Sequence, residues 1–280
     1  MSTYTYLLSM LIYVFVSCAD QPVNFETTLI NNQKPVTVKD IRTIPLPGGF
    51  GYVQQNDSSY ANWLLDLKFK PDKTIHLYDG SERSNQFVQY GVLDINIGRK
   101  DLVQCADAAI KLRSDYLYSR QQYDQLTFMA TSGDQVSFAK WLKGTRWKEK
   151  GGRLVPYTVN IGGNDMNKEY STFMDLVYSY CGTYSLSKQL KTISDINSIQ
   201  PGDVFVEGGF PGHAVTVMAV IKNSSGKKLF LLSQGYMPAQ DIHLLKNYAK
   251  PDLSPWYDLT DLYPLYTPQW QFGSGTLRRW

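Results

Sequence analysis

The chain has 280 residues, 43% of them hydrophobic and 14% aromatic, with 20 Tyr, which is ample for a buried core and excludes a disordered chain. Its 28 basic and 25 acidic residues leave a net charge of only +3 and are spread along the sequence, so neither a nucleic-acid footprint nor a polybasic membrane patch is present. The length admits one domain or two, and without internal repeats or low-complexity linkers one is favoured.

From Tyr4 to Val16 the chain is apolar or aromatic apart from Thr5 and Ser9, and too short to span a bilayer. It meets Phe15-Val16-Ser17-Cys18, an apolar residue, a small residue and a Cys, which resembles the lipobox of bacterial lipoproteins. The expectation is a signal peptide over 1–18, a lipid on Cys18, and a membrane-anchored lipoprotein exported to the periplasmic or surface side of the cell envelope. Ala19-Asp20-Gln21-Pro22 suits a tether, and residues 19–280 form a single domain, β-rich over 19–98. Cys105 and Cys181 then remain in a compartment where a disulfide persists, so their pairing competes with any catalytic use of Cys105.

Between Val23 and Gly98 turn signals at Asn31-Asn32, Pro47-Gly48-Gly49 and Asp79-Gly80 punctuate strand-like segments, and Ser59 caps one short helix. Gly91 to Ile97 alternates as a half-buried strand does. Asp101-Leu102-Val103-Gln104 has capping-box spacing, which predicts a helix from Asp101 to about Tyr118 with Cys105, Ala109, Leu112 and Tyr116 on one face. A second helix runs from about Asn167 to Cys181, capped by Asp165 and stopped by Gly182, with Cys181 in its buried stripe. Strands follow at Gly202–Val206 and His213–Val220, and a turn at Asn223–Gly226 returns Lys228–Gln234 antiparallel, so that His213 and Gln234 finish close together. Past Tyr236 the Pro- and aromatic-rich chain wraps the body.

A cysteine nucleophile needs a base, a group to hold that base, and donors for the oxyanion. Cys105 lies in the first turn of a helix, where dipole and free amides favour thiolate. His213 starts a strand after Gly209-Phe210-Pro211-Gly212, and Gln234 stands ready to orient it, with Gln240, Asp241 and His243 as alternatives for that third place. The Cys105 amide and the Gln104 side chain supply oxyanion donors, with Asp203 and Gln240 added as substrate-side candidates. His76, Asp79 and Asp94 read as structural. His213, His243, Asp203 and Cys105 lack the short spacings of a metal site, so no metal and no cofactor is expected.

Pro201-Gly202-Asp203-Val204-Phe205 followed by Gly212-His213-Ala214-Val215 resembles the pattern of NlpC-type peptidoglycan peptidases, which have a papain-like fold. That resemblance implies Cys105 as nucleophile, His213 as base and Gln234 as third residue; Gln104-Cys105-Ala106-Asp107 stands where those enzymes have Asp-Cys-Ser-Gly. A resemblance over nearly the whole mature chain is to the domain of unknown function family numbered 4846, of Bacteroidota and other bacteria. It is carried by Leu77-Tyr78-Asp79-Gly80, Val92-Leu93-Asp94-Ile95, Gln104-Cys105-Ala106-Asp107-Ala108 with Leu112-Arg113-Ser114-Asp115-Tyr116-Leu117-Tyr118, Gly202-Asp203-Val204-Phe205 with Pro211-Gly212-His213-Ala214-Val215, and Tyr236-Met237-Pro238-Ala239-Gln240. It implies no activity.

The expected fold is therefore α+β, a mixed or antiparallel sheet packed on helices with papain- or NlpC-like topology over 99–280. The expected function is a monomeric cell-envelope cysteine amidase or peptidase acting on cell-wall peptide or another envelope substrate, with no nucleic-acid partner. The alternative is a non-catalytic lipoprotein that binds glycan or peptide through its Tyr- and Trp-rich surface.

Overall fold

The run from His213 to Ile221, dominated by Val, Ile, Ala and Thr, builds the longest strand of the molecule. In the computed structural model, which describes residues 38–54, 56–162, 165–261 and 263–280, that strand lies inside a sheet of nine. The expected export signal and the Cys18 anchor lie outside the described residues. The strands are β1 Phe50–Tyr52, β2 Gln89–Val92, β3 Lys191–Thr192, β4 Val204–Glu207, β5 His213–Asn223, β6 Lys228–Gln234, β7 His243–Leu245, β8 Tyr257–Asp258 and β9 Leu277–Arg279. They run in the order β2-β7-β6-β5-β4-β9-β3, with β1 also on β5 and β8 also on β6, and every pair is antiparallel.

Among the described residues five α-helices, α1 Tyr60–Leu65, α2 Cys105–Ser119, α3 Phe138–Trp141, α4 Met166–Tyr180 and α5 Thr183–Gln189, complete an α+β fold. Three further antiparallel pairs among the described residues, Thr127–Met129 with Gln135–Ser137, Thr145–Lys150 with Arg153–Thr158 and Leu265–Tyr266 with Gln271–Phe272, stand outside the sheet. By its contacts the segment Thr37–Trp280 is one compact unit.

Strand alternation sorts the core into two layers. Ala214 and Ile221 of β5 join Val204 and Val206 of β4 and Leu229 and Leu231 of β6 in a layer with Ala108, Ala109 and Leu112 of α2. Val215, Val217 and Val220 point the other way, to Phe205, Phe230, Leu232 and Phe272. A register shift opposite Leu231 and Leu232 leaves Met218 unpaired, which puts Met218 and Ala219 in the same layer. β5 is thus buried on both faces for its first nine residues.

Two expectations need correction. The helix begins at Cys105, four residues later than Asp101, because the Asp101 carboxylate is taken by the N–H of Ala239 at 2.7 Å and by Gln104 Nε2 at 3.1 Å. Gln104, in extended backbone, becomes the N-cap, and the Asp107 carboxylate accepts from its N–H at 3.2 Å. The described part of the N-terminal region, 38–98, is also less β-rich than its pattern suggests: beyond β1 and β2 it is stitched by isolated bridges such as Asp40 to Lys68 and Phe69 to Leu93. Leu93 and Ile95 are buried and Asp94 is exposed, so the alternation predicted burial correctly. The ladder stops at Val92 because Leu93 N–H donates to Ile242 O and Asp94 N–H to Lys68 O.

Candidate functional site

Cys105 is the first residue of α2, where the amides of the first turn have no helical partner. The N–H groups of Cys105, Ala106 and Ala214 lie near enough to its sulfur to favour the thiolate, which puts the thiol near the start of β5, one residue from His213. Close packing holds it there: a Cβ on Gly235 would lie 2.8 Å from Gln104 O and 3.0 Å from Ala108 Cβ, so the first turn of α2 rests on the end of β6. Cys105 is 8% exposed. It lines a cavity of about 440 Å³ with Gln104, Asp107, Thr183, Phe210 and Met237 among its walls.

Three neighbouring strands bring polar side chains into one row. His213 begins β5, Gln234 ends β6, and His243 begins β7 directly across from Gln234. His213 Nε2 lies 2.9 Å from Gln234 Oε1. Gln234 Nε2 lies 2.7 Å from Gln269 Oε1 and 3.3 Å from His243 Nε2, and His243 Nδ1 lies 2.9 Å from Asp241 O. The His213 ring is packed among Tyr236, Trp270 and Phe272, at centroid distances of 5.4, 5.3 and 5.9 Å. It makes no hydrogen bond to Cys105 among the described residues; such contacts in substrate-free sites often tighten only on binding.

Burial sets the charge state. It pushes the Cys105 thiol up to about 11, with the Asp107 carboxylate adding to the rise and the three N–H groups opposing it. Asp107 is itself held well above the usual carboxylate range by burial. Burial brings both His213 and His243 down to about 4, against the Gln234 hydrogen bond in one case and the Asp241 carbonyl in the other. The resting pair is a neutral thiol and a neutral imidazole, not the thiolate that the helix position alone suggests.

The profile of the family described as domain of unknown function (4846) matches residues 41–279. The chain belongs to that family. No curated protein and no solved structure matches it, so in this member of the 4846 family the chemistry has to be read from the residues.

Of the four residues considered for holding His213, Gln234 makes the bond. Gln240 is fully buried with neither amide atom hydrogen-bonded, and the Asp241 carboxylate is held by Lys70 Nζ at 2.8 Å and the His76 N–H at 3.0 Å. Gln104 lines the cavity beside Cys105. Asp203 stands apart: it pairs bidentately with Arg279, at 2.7 Å for both bonds, and accepts from the Gln200 N–H, so it serves the sheet and offers no oxygen to a substrate at Cys105. Gln240 is likewise shut off from substrate.

Cys181 is a free, buried thiol in the same cavity as Cys105, and burial raises its pKa as well. Among the described residues no group of three His, Cys, Asp or Glu is arranged to hold a metal, and no helix is long and apolar enough to cross a membrane. Gln269 was missed by sequence reasoning. It lies 35 positions beyond Gln234 in a Pro- and aromatic-rich stretch whose pattern carries no signal for an amide partner.

Proposed function

We propose that this protein is a cysteine hydrolase of the cell envelope that cleaves an amide or peptide bond, with cell-wall peptide as the substrate class. The observation that carries the reading is the Cys105 thiol at the start of α2, lining a cavity whose wall includes Gly212, together with the imidazole of the following residue, His213, hydrogen-bonded to Gln234. The chain order, Cys on a helix and then His and Gln on adjacent strands, is that of papain-like and NlpC-type enzymes and supports the assignment.

In the proposed reaction His213 takes the Cys105 proton as the sulfur attacks the substrate carbonyl. The developing oxyanion accepts from the Cys105 N–H and from Gln104 Nε2. The C–N bond breaks, the amine leaves with the proton from His213, and a thioester remains. Water then gives a proton to His213 and its oxygen to the acyl carbon, releasing the acid and restoring the thiol. A lipid on Cys18 would tether this activity to the membrane.

Incubation with purified cell-wall peptides, read by mass spectrometry, should show cleavage that disappears in Cys105→Ser and His213→Ala while melting temperatures stay near that of the wild type. Cleavage surviving in Cys105→Ser would overturn the assignment. So would failure of the wild type both to cleave and to be trapped at Cys105 by peptidyl electrophiles. The binding-module reading would then stand on Phe87 and Tyr248, exposed at 74% and 51% and joined by the Tyr248 hydroxyl donating to Phe87 O.

A further inference from the structure

The row of side chains behind His213 has a direction, and it can be read from the one group in it that cannot be reversed. A backbone carbonyl only accepts, so the Asp241 O contact at 2.9 Å requires the proton of neutral His243 to sit on Nδ1. His243 Nε2 is then a bare acceptor, and the Gln234 atom facing it must be the NH₂ nitrogen. The second N–H of that nitrogen meets Gln269 Oε1. With its nitrogen fixed, the Gln234 amide presents oxygen to His213, which requires the His213 proton on Nε2 and leaves Nδ1 with the lone pair.

We infer that His243 and Gln269 are positioning residues that lock the Gln234 amide and thereby hold His213 in its Nε2–H form, with Nδ1 as the atom that accepts the Cys105 proton. This rests on the hydrolase reading for its purpose, but the lock is a property of the resting protein. Without His243 and Gln269, Gln234 has nothing to define which end of its amide faces the imidazole, and a flipped amide would donate to Nε2 and move the proton to Nδ1, the wrong place for a base. The lock reaches the N-terminal part of the domain as well. The Asp241 carboxylate is clamped by Lys70 and the His76 N–H, and the same residue supplies the carbonyl on which the row depends.

The test is ¹⁵N NMR of the full chain labelled at histidine, in which only three imidazoles, those of His76, His213 and His243, need assignment. In the wild type near neutral pH, His213 should show a protonated Nε2 and a bare Nδ1, and His243 the reverse. In Gln269→Ala and His243→Phe the His213 signal should become a mixture of tautomers, and kcat should fall by roughly 10- to 100-fold with little change in KM. Gln269→Glu, which keeps an acceptor oxygen at that point, should restore the single tautomer. Gln269→Ala keeps the test alive if His243→Phe does not fold. A wild-type His213 protonated on Nδ1, or a tautomer unmoved in both variants, overturns the inference. The expected tautomers in a protein that hydrolyses nothing would leave the lock standing and remove the hydrolase.

Discussion

At Cys105 two influences compete, and their magnitudes decide which one wins. The start of α2 and three nearby N–H groups favour thiolate, while burial and Asp107 oppose it and carry the thiol up to about 11. Alkylation of Cys105 by iodoacetamide in the resting protein should therefore be slow at pH 6 and climb roughly tenfold per pH unit between pH 7 and 10, because the reactive thiolate fraction rises in that proportion below the pKa. A fast rate that is flat below neutrality would instead reveal a thiolate–imidazolium pair. The position of Cys105 at a helix start and the approach of His213 to Gln234 were readable in the sequence, since a capped helix start and a turn between two strands have local signatures. Burial has none, so the neutral state of the pair was not readable, nor was Gln269, whose role depends on a loop returning from far along the chain.

Among the elements, α2 decides where the thiol sits. Its capping-box spacing is genuine, yet the carboxylate of Asp101 bonds across to Ala239, a partner 138 positions away that no local pattern displays. Helix α4 was read almost to the residue because its cap, Asp165, acts locally by accepting from the Lys168 N–H at 3.0 Å. The seat of α2 on Gly235 gives a direct test. Gly235→Val would force atoms against Gln104 O and Ala108 Cβ, and should cost about 1–3 kcal/mol in chemical denaturation. It should also speed modification of Cys105 as the first turn lifts from β6. An unchanged stability would mean that the two elements are not closely seated.

Over the whole molecule, the two buried histidines couple folding to pH. Both have folded pKa values near 4, below the unfolded value of about 6.5, so the unfolded chain binds more protons between those limits. Stability should therefore be full above about pH 6.5 and fall as pH drops toward 4, by on the order of 3 kcal/mol for each histidine. Urea denaturation at pH 7 and pH 4.5 measures the loss, and His243→Gln should reduce it. A second dependence is charge pairing: Asp203 is fully buried, and Arg279→Ala would leave its carboxylate without its partner at a cost of about 3–5 kcal/mol, seen as a lowered melting temperature.

The position of β9 also bears on how the chain comes together over time. Leu277–Arg279 is the last of the nine strands to leave the ribosome, yet it lies inside the sheet, hydrogen-bonded to β4 on one side and β3 on the other. A nascent chain lacking these three residues has an open seam between β3 and β4, with Asp203 facing it unpaired. The sheet can close only after synthesis has reached Arg279. Until then β3 and β4 present free edges, the form in which unfinished chains are most prone to cling to one another and most readily engaged by chaperones.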